Sequence, residues 1–143
     1  MMSKTMTFRV GLDAVEQVLA VIEDTTASNS GSSQELFEIS TCCREALNNI
    51  VEHSGQSWFS TRIRIVSAAG HPVFVVSFSH DGFVPRPNPA KGMPLDTLSG
   101  RGWPIMDAWM DRVRHRCVNG STRLTLIRRL SGDPPAQAHS TKL

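Results

Sequence analysis

One helix constrains this fold more than any other stretch of the sequence. Apolar residues from position 36 to position 50 recur at helical spacing and form a single stripe, which needs a hydrophobic core to cover it. Ser32 and Glu35 have the spacing of a capping box, so they predict the start of this helix, and Gly55 predicts its end just after His53. The stripe consists of Leu36, Ile39, Cys43, Leu47 and Ile50.

The opposite side of the same helix is polar. At about 100° per residue, it carries Glu38, Cys42, Glu45, Asn49 and His53. Glu45 and Asn49 lie one turn apart and are therefore neighbours. On an arbitrary helix such residues would form a solvated face, and the alternative is a site for a polar ligand.

The remaining elements follow from alternation, periodicity and turn residues. A strand at Met6–Val10 precedes a helix that we expect to be capped by Asp13, and Asn119-Gly120 predicts a hairpin between the last two strands. We therefore predict an α/β (α+β) two-layer sandwich, with helices on one face of a mostly antiparallel mixed sheet. That first helix is predicted at 14–26, and the hairpin strands are predicted at 113–118 and 121–130. The other predicted elements are strands at 58–67 and 73–78 and a short helix from Trp103.

Size and charge narrow the possible classes of protein. A chain of 143 residues fits one domain, which we place at residues 1–130, followed by a disordered polar tail at 131–143. The formal charge of +2 is too small to indicate binding of nucleic acid or a membrane surface, although the late arginines leave a local basic patch open. No apolar run is long enough to span a membrane. The 3 cysteines suit neither a disulfide framework nor a metal site, so we expect reduced thiols and a cytoplasmic protein.

Two glycine-containing segments are candidates for a phosphate site. Gly100 and Gly102 directly precede a helix, where free backbone N–H groups can receive an anion, although glycines there often only mark a boundary. Asp81-Gly82 follows a buried strand and by default is a turn. The proline-bearing segment between them, 81–99, reads as a long loop.

Taken in order, four segments resemble a known family. They are Glu45-Ala-Leu-Asn-Asn49 with Glu52-His53, then His80-Asp81-Gly82, then Gly100-Arg-Gly102-Trp-Pro-Ile-Met, and finally Asn119-Gly120-Ser-Thr122. The chain resembles the anti-sigma-factor serine kinases, a branch of the GHKL ATPases with the Bergerat fold and a histidine-kinase-like ATPase domain. The resemblance extends from about Met6 to Leu130, nearly the whole domain.

The resemblance implies roles for individual residues. Glu45 stands at the position of the catalytic glutamate, Asn49 at that of the magnesium-binding asparagine, and Gly100 and Gly102 in the loop over the phosphates. Thr122 corresponds to a threonine near the nucleotide. The residues thus assigned to the cofactors ATP and Mg²⁺ are Asn49, His53, His80, Asp81, Gly82, Gly100, Arg101, Gly102 and Thr122.

The resemblance also implies an activity and partners. It indicates a protein serine kinase that binds a sigma factor, phosphorylates a serine of an anti-sigma-factor antagonist, or does both. It implies no direct contact with nucleic acid and leaves a homodimer open. We expect a magnesium ion to need few protein ligands, because it keeps several waters and takes its other contacts from phosphates.

Two departures from the family pattern favour an alternative. His80 stands where the family has an aspartate that accepts a hydrogen bond from adenine, and Val84 replaces a second glycine. Either Asp81 replaces that acceptor through a shifted loop, or adenine affinity is reduced. The alternative is thus a catalytically weak or inactive regulatory module of the same fold that binds partners.

Two further alternatives are weaker. In a sensor histidine kinase, we would expect a phosphoacceptor helix or a membrane segment before the domain. A nucleic-acid binder would use the late arginines, but alternate arginines such as Arg114 and Arg116 are typical of any solvated sheet face.

Overall fold

The computed structural model describes residues 2–82 and 102–131. Within them the chain forms five strands and three helices. In chain order these are β1 (Met2–Arg9), α1 (Leu12–Ser28), α2 (Ser33–His53), β2 (Trp58–Ala68), β3 (His71–His80), α3 (Gly102–Trp109), β4 (Arg112–Val118) and β5 (Ser121–Arg129).

The five strands form one sheet in the order β1-β2-β3-β5-β4, and all its neighbouring pairs are antiparallel. The predicted α+β fold with a mostly antiparallel sheet is thus confirmed. β3 is central, as its apolar residues on both faces predicted, and Phe74 and Val76 are fully buried. Asn119 (φ 51°) and Gly120 (φ 79°) turn the β4–β5 hairpin, since both adopt the left-handed conformation that such a turn requires.

The core lies between one face of the sheet, the inner face, and the helices. Val18 and Ile22 of α1, Ile39 and Leu47 of α2, and Met106 of α3 are all fully buried in it. The apolar stripe of α2 is therefore covered as predicted, apart from Leu36, which is half-buried. No helix of the described residues covers the opposite, outer face.

A capping box starts α2, as the sequence predicted. The hydroxyl of Ser32 accepts a hydrogen bond from the backbone N–H of Glu35 (3.1 Å), and Oε1 of Glu35 accepts one from the N–H of Ser32 (2.9 Å). The other oxygen, Oε2, accepts from the N–H of Ser131 (2.8 Å), at the far end of the described chain. Burial opposes ionisation of Glu35, but these backbone hydrogen bonds outweigh it and hold the pKa of its carboxyl below the ordinary value.

The predicted cap of α1 is wrong. The helix begins at Leu12, its N-cap residue is Gly11, and no side chain caps it. Asp13 instead lies in the first turn, where its charge still suits the positive end of the helix. Glu16 pairs with Arg44 of α2 (2.7 Å), so it serves the helix–helix contact.

Several predictions lie outside the described residues. The loop beyond Gly82, including Gly100 and Arg101, falls in residues 83–101, and the tail beyond Ser131 falls in 132–143. Of the helices that are described, none combines the length and the apolar character needed to cross a membrane.

Candidate functional site

Three predicted site residues meet at one cavity. Asn49 reaches it from α2, and His80 and Thr122 reach it from adjacent positions on β3 and β5. Its free volume is about 20 Å³ as bounded by the described residues, which is room for a water molecule and too little for a nucleotide. The lining consists of Ala46, Asn49, Ile50, Phe78, His80, Trp103, His115, Thr122 and Leu124.

Asn49 is the most unusual of these side chains. It is only 4% exposed, and neither its Oδ1 nor its Nδ2 has a hydrogen-bond partner within residues 2–82 and 102–131. Leaving a buried polar group unpaired costs about 1–3 kcal/mol, so native proteins rarely do so without a reason. A ligand oxygen or a cation beside Oδ1 would supply the missing partner.

Gly82 and Thr122 hold the end of β3. The hydroxyl of Thr122 donates a hydrogen bond to the carbonyl of Gly82. A Cβ atom at position 82 would lie 2.7 Å from the carbonyl oxygen of Ser54, so only glycine allows this close approach to the end of α2. The predicted glycine thus has a steric reason independent of any ligand.

His80 is buried at the cavity wall. It is 7% exposed, and its Nδ1 has no partner among the described residues. Burial lowers the pKa of His80 below its ordinary value, His115 lowers it further, and Asp81 partly opposes the shift. The imidazole is therefore neutral near pH 7 and offers one donor and one acceptor.

Glu45 lies beside the cavity and does not line it. It is half-buried, one turn before Asn49. Burial raises the pKa of the neighbouring Cys42 thiol to about 12; Arg128 opposes this, while the carboxylates of Glu38 and Glu45 add to it. Cys42 is thus an uncharged thiol that donates a hydrogen bond to the carbonyl of Ile105 (3.8 Å). This contact shows that α3 covers part of the face of α2 that the sequence predicted to be polar.

The other predicted residues that the structure describes are His53, Asp81 and Gly102. His53 is half-buried at the end of α2, 3.6 Å from the carboxylate of Glu52, and Asp81 is exposed. Gly102 is the first residue of α3. Gly100 and Arg101 lie outside the described residues.

Six of the nine described lining residues were not predicted as site residues, and two of these six, Trp103 and His115, have polar ring nitrogens. Trp103 of α3 is 3% exposed and packs edge-on against His115 of β4, with ring centroids 5.4 Å apart. Strand parity could have indicated His115, because it alternates with the outward Arg114 and Arg116. Nothing in the sequence around Trp103 marks it as a wall of the cavity.

Comparisons with known proteins agree with the fold. The family model described as the histidine kinase-like ATPase domain matches residues 8–128. A search of curated proteins finds no match. Among solved structures, the chain is similar to the RsbU and RsbW domains of Rv1364c from Mycobacterium tuberculosis, with TM-score 0.68, 18% identity, and coverage of 94% of this chain and 34% of that one.

A second solved structure with a similar fold is the SiaB-SiaC complex from Pseudomonas aeruginosa. Its TM-score is 0.55 at 10% identity, and the match covers 89% of each chain. At these identities the likeness concerns the fold alone. The chain spans about a third of the length of the Mycobacterium tuberculosis chain that it matches.

Proposed function

The chain belongs to the family of histidine kinase-like ATPase domains, and from that premise we propose that it binds ATP with Mg²⁺ as an anti-sigma-factor-type protein serine kinase. Its proposed substrate is a serine of an anti-sigma-factor antagonist, and a sigma factor is its other proposed partner. We place this activity in a single domain at residues 1–130, in the cytoplasm.

Asn49 carries this proposal. Its buried amide has no partner among the described residues, and its Oδ1 is a hard oxygen ligand of the kind that Mg²⁺ prefers. Within residues 2–82 and 102–131, no group of three or more His, Cys, Asp or Glu side chains could hold a metal ion. A magnesium ion beside Asn49 would thus need phosphate oxygens and water as its other ligands, which fits a nucleotide complex.

The neighbouring residues suit the remaining roles. Bound Mg²⁺ would neutralise charge on the transferred phosphoryl group. Glu45, one turn before Asn49, would orient the attacking serine hydroxyl and accept its proton. Gly82, with Gly100 and Gly102, would let the backbone approach the nucleotide, and Arg101 would add positive charge near the phosphates. His80 would contact the base.

A calorimetric titration with ATP and Mg²⁺ tests the nucleotide site. The parent should bind, and Asn49→Ala should lose magnesium-dependent binding. Asn48→Ala is the matched control, because it removes the same side chain from the adjacent, half-buried position and should bind as the parent does. Equal binding by the parent and Asn49→Ala would exclude Asn49 as the metal ligand.

Phosphoryl transfer is tested separately from binding. Glu45→Ala should keep nucleotide affinity and lose transfer of labelled phosphate from ATP to the serine of an antagonist protein. Loss of affinity together with transfer would instead give Glu45 a role in binding.

A second candidate function is a partner-binding module with weak or no turnover. Two observations favour it: a histidine occupies position 80, and the cavity, as bounded by the described residues, admits about one water molecule. In this case the parent would show no heat of ATP binding while still binding its protein partner.

A further inference from the structure

The outer face of the sheet carries a second feature, remote from the nucleotide cavity. A groove of about 540 Å³ runs along it, and no Asp or Glu is among the described residues that line it. We name it the arginine trough, after its arginines Arg62, Arg64, Arg114, Arg116 and Arg123.

The strand register gives the trough two walls of arginines with a floor of short side chains between them. Arg62 and Arg64 of β2 form one wall, and the arginines of β4 and β5 form the other. The floor between them consists of short side chains such as Ser77 and Thr125, whose hydroxyls lie 3.0 Å apart. From β2 to β4 there are three strand spacings, about 14 Å, which is enough to seat an α-helix of about 10–12 Å diameter.

No acidic side chain among the described residues pairs with the arginines of the trough. The ion pairs within residues 2–82 and 102–131 involve Arg44, His53 and Arg128, and none involves an arginine of the trough. The polar contacts that two of them make are with hydroxyls, from Arg62 to Ser3 and from Arg123 to Ser79, both 3.3 Å. Since the whole chain has a formal charge of only +2, this concentration of positive charge is a local feature.

This arrangement costs folding stability. Arg116 lies directly opposite Arg123 in the β4–β5 register, and like charges in that relation destabilise a sheet. Protection of a sheet edge would explain arginines on β4, but β2 and β5 are interior strands. A bound anionic partner would offset the repulsion.

We propose that the arginine trough docks an acidic segment of a partner protein. Arginine forks bind carboxylates through paired hydrogen bonds, and arginine is favoured at protein interfaces. A two-fold symmetric pairing of this face with a second copy does not fit, because it would bring the same arginines against these.

Other polyanions fit less well. Proteins that read single-stranded nucleic acid on a sheet stack its bases on aromatic side chains, and within residues 2–82 and 102–131 no aromatic residue lines the trough. The exposed Trp58 nearby lies under the guanidinium of Arg9, 5.5 Å from its ring centre. The concave shape also suits neither a DNA groove, which needs a protruding element, nor a flat membrane surface.

Binding of an acidic polypeptide tests this proposal with the full chain. The probe is poly-L-glutamate of about 20 residues at near-physiological salt, where binding to the parent should weaken as salt is raised. Arg116→Glu should weaken binding by about tenfold or more. The same substitution should raise the midpoint of thermal unfolding, because it converts the Arg116–Arg123 repulsion into an attraction.

Lys4→Glu is the matched control. Lys4 is also exposed on an edge strand, but on the inner-face side of β1, so the same change of charge there should leave affinity within about twofold. Arg62→Gln is a second variant, on the other wall, that removes a charge without reversing it and should also weaken binding.

Any of three outcomes would overturn the proposal. They are no binding of poly-L-glutamate by the parent, equal loss with Arg116→Glu and Lys4→Glu, or tighter binding of duplex DNA, single-stranded RNA or phosphatidylserine vesicles through the same arginines. None of them bears on ATP binding, so the nucleotide proposal stands or fails separately.

Discussion

His80 is the residue at which the site departs most from its family resemblance. A neutral, buried imidazole can accept a hydrogen bond from an adenine amino group only through its unprotonated nitrogen, whereas a carboxylate offers several acceptor positions. The identity of this single side chain therefore affects both the affinity for ATP and its dependence on pH.

We predict that His80→Asp binds ATP more tightly, by about 1 kcal/mol or more, because it restores a stronger acceptor. Calorimetry with ATP and Mg²⁺ measures this. His71→Asp, at the exposed start of the same strand, is the control and should leave affinity unchanged. If Asp81 contacts adenine instead, His80→Asp should change little and Asp81→Ala should remove binding.

The pH dependence of ATP affinity gives a second measurement at this residue. Because burial places the pKa of His80 below its ordinary value of 6.5, the parent's affinity should fall only as pH drops below that value. His80→Asp should keep its affinity through the same range. Identical pH profiles for the two proteins would show that the imidazole does not accept a bond from the base.

Replacing Asn49 by an apolar residue should lower nucleotide affinity without lowering the stability of the fold. The amide of Asn49 has no partner among the described residues and should destabilise the protein in the absence of a ligand, so we expect Asn49→Leu to unfold at the same denaturant concentration as the parent or a higher one. It should also lose magnesium-dependent nucleotide binding. A clear loss of stability in Asn49→Leu would mean that the amide has a partner in the native protein.

At the scale of elements, the start of α2 is stabilised from two directions. Ser32 supplies the local capping box, and Ser131 supplies a hydrogen bond from the end of the chain to the same carboxylate. The first contact follows from a spacing of three residues and was predicted. The second joins residues 96 apart and could not be, because only the tertiary fold brings them together.

We predict that Glu35→Gln lowers the free energy of unfolding by about 1–2 kcal/mol near pH 7. The folded pKa of Glu35 is depressed below 4.5, so its stabilisation is complete above that value and is lost as pH falls through the folded pKa. Thermal unfolding from about pH 7 to about pH 3 should thus show a smaller acid-dependent loss in the variant. Gln17→Ala, at an exposed position of α1, should follow the parent.

For the molecule as a whole, sequence patterns predicted the elements better than their surroundings. Periodicity located α2, and alternation with Asn119-Gly120 located the final hairpin. Asn49, His80 and Thr122, which come from three separate motifs, line one cavity in the structure, and their roles stay predictions. Burial of Cys42 and Asn49 was not predicted, because it depends on how α3 packs across α2, and a pattern within one helix holds no information about its neighbour.

Arg128 connects the sheet to the helices α2 and α3. From β5, it pairs with Glu38 of α2 (2.8 Å) and donates to the carbonyl of Trp109 at the end of α3 (2.6 Å). Both charged side chains are largely buried, at 17% and 15% exposure, so removing one partner leaves the other poorly compensated.

We predict that Arg128→Ala lowers the free energy of unfolding by about 2–3 kcal/mol in chemical denaturation. Arg129→Ala, at the adjacent exposed position, should change it by no more than about 0.5 kcal/mol. Equal effects of the two substitutions would assign the loss to β5 in general and not to this ion pair.

The sheet order also has a consequence for how the protein reaches its native state. Only β2–β3 and β4–β5 are hairpins of consecutive strands, and they join along β3 and β5. His80 meets Thr122 in that junction, where the contact between Ser121 and the carbonyl of His80 spans 41 residues. Long-range pairing of this kind forms slowly, because a large loop must close first. The cavity therefore comes into existence only when the two hairpins dock, and a nucleotide would have nothing to recognise in a partly folded chain.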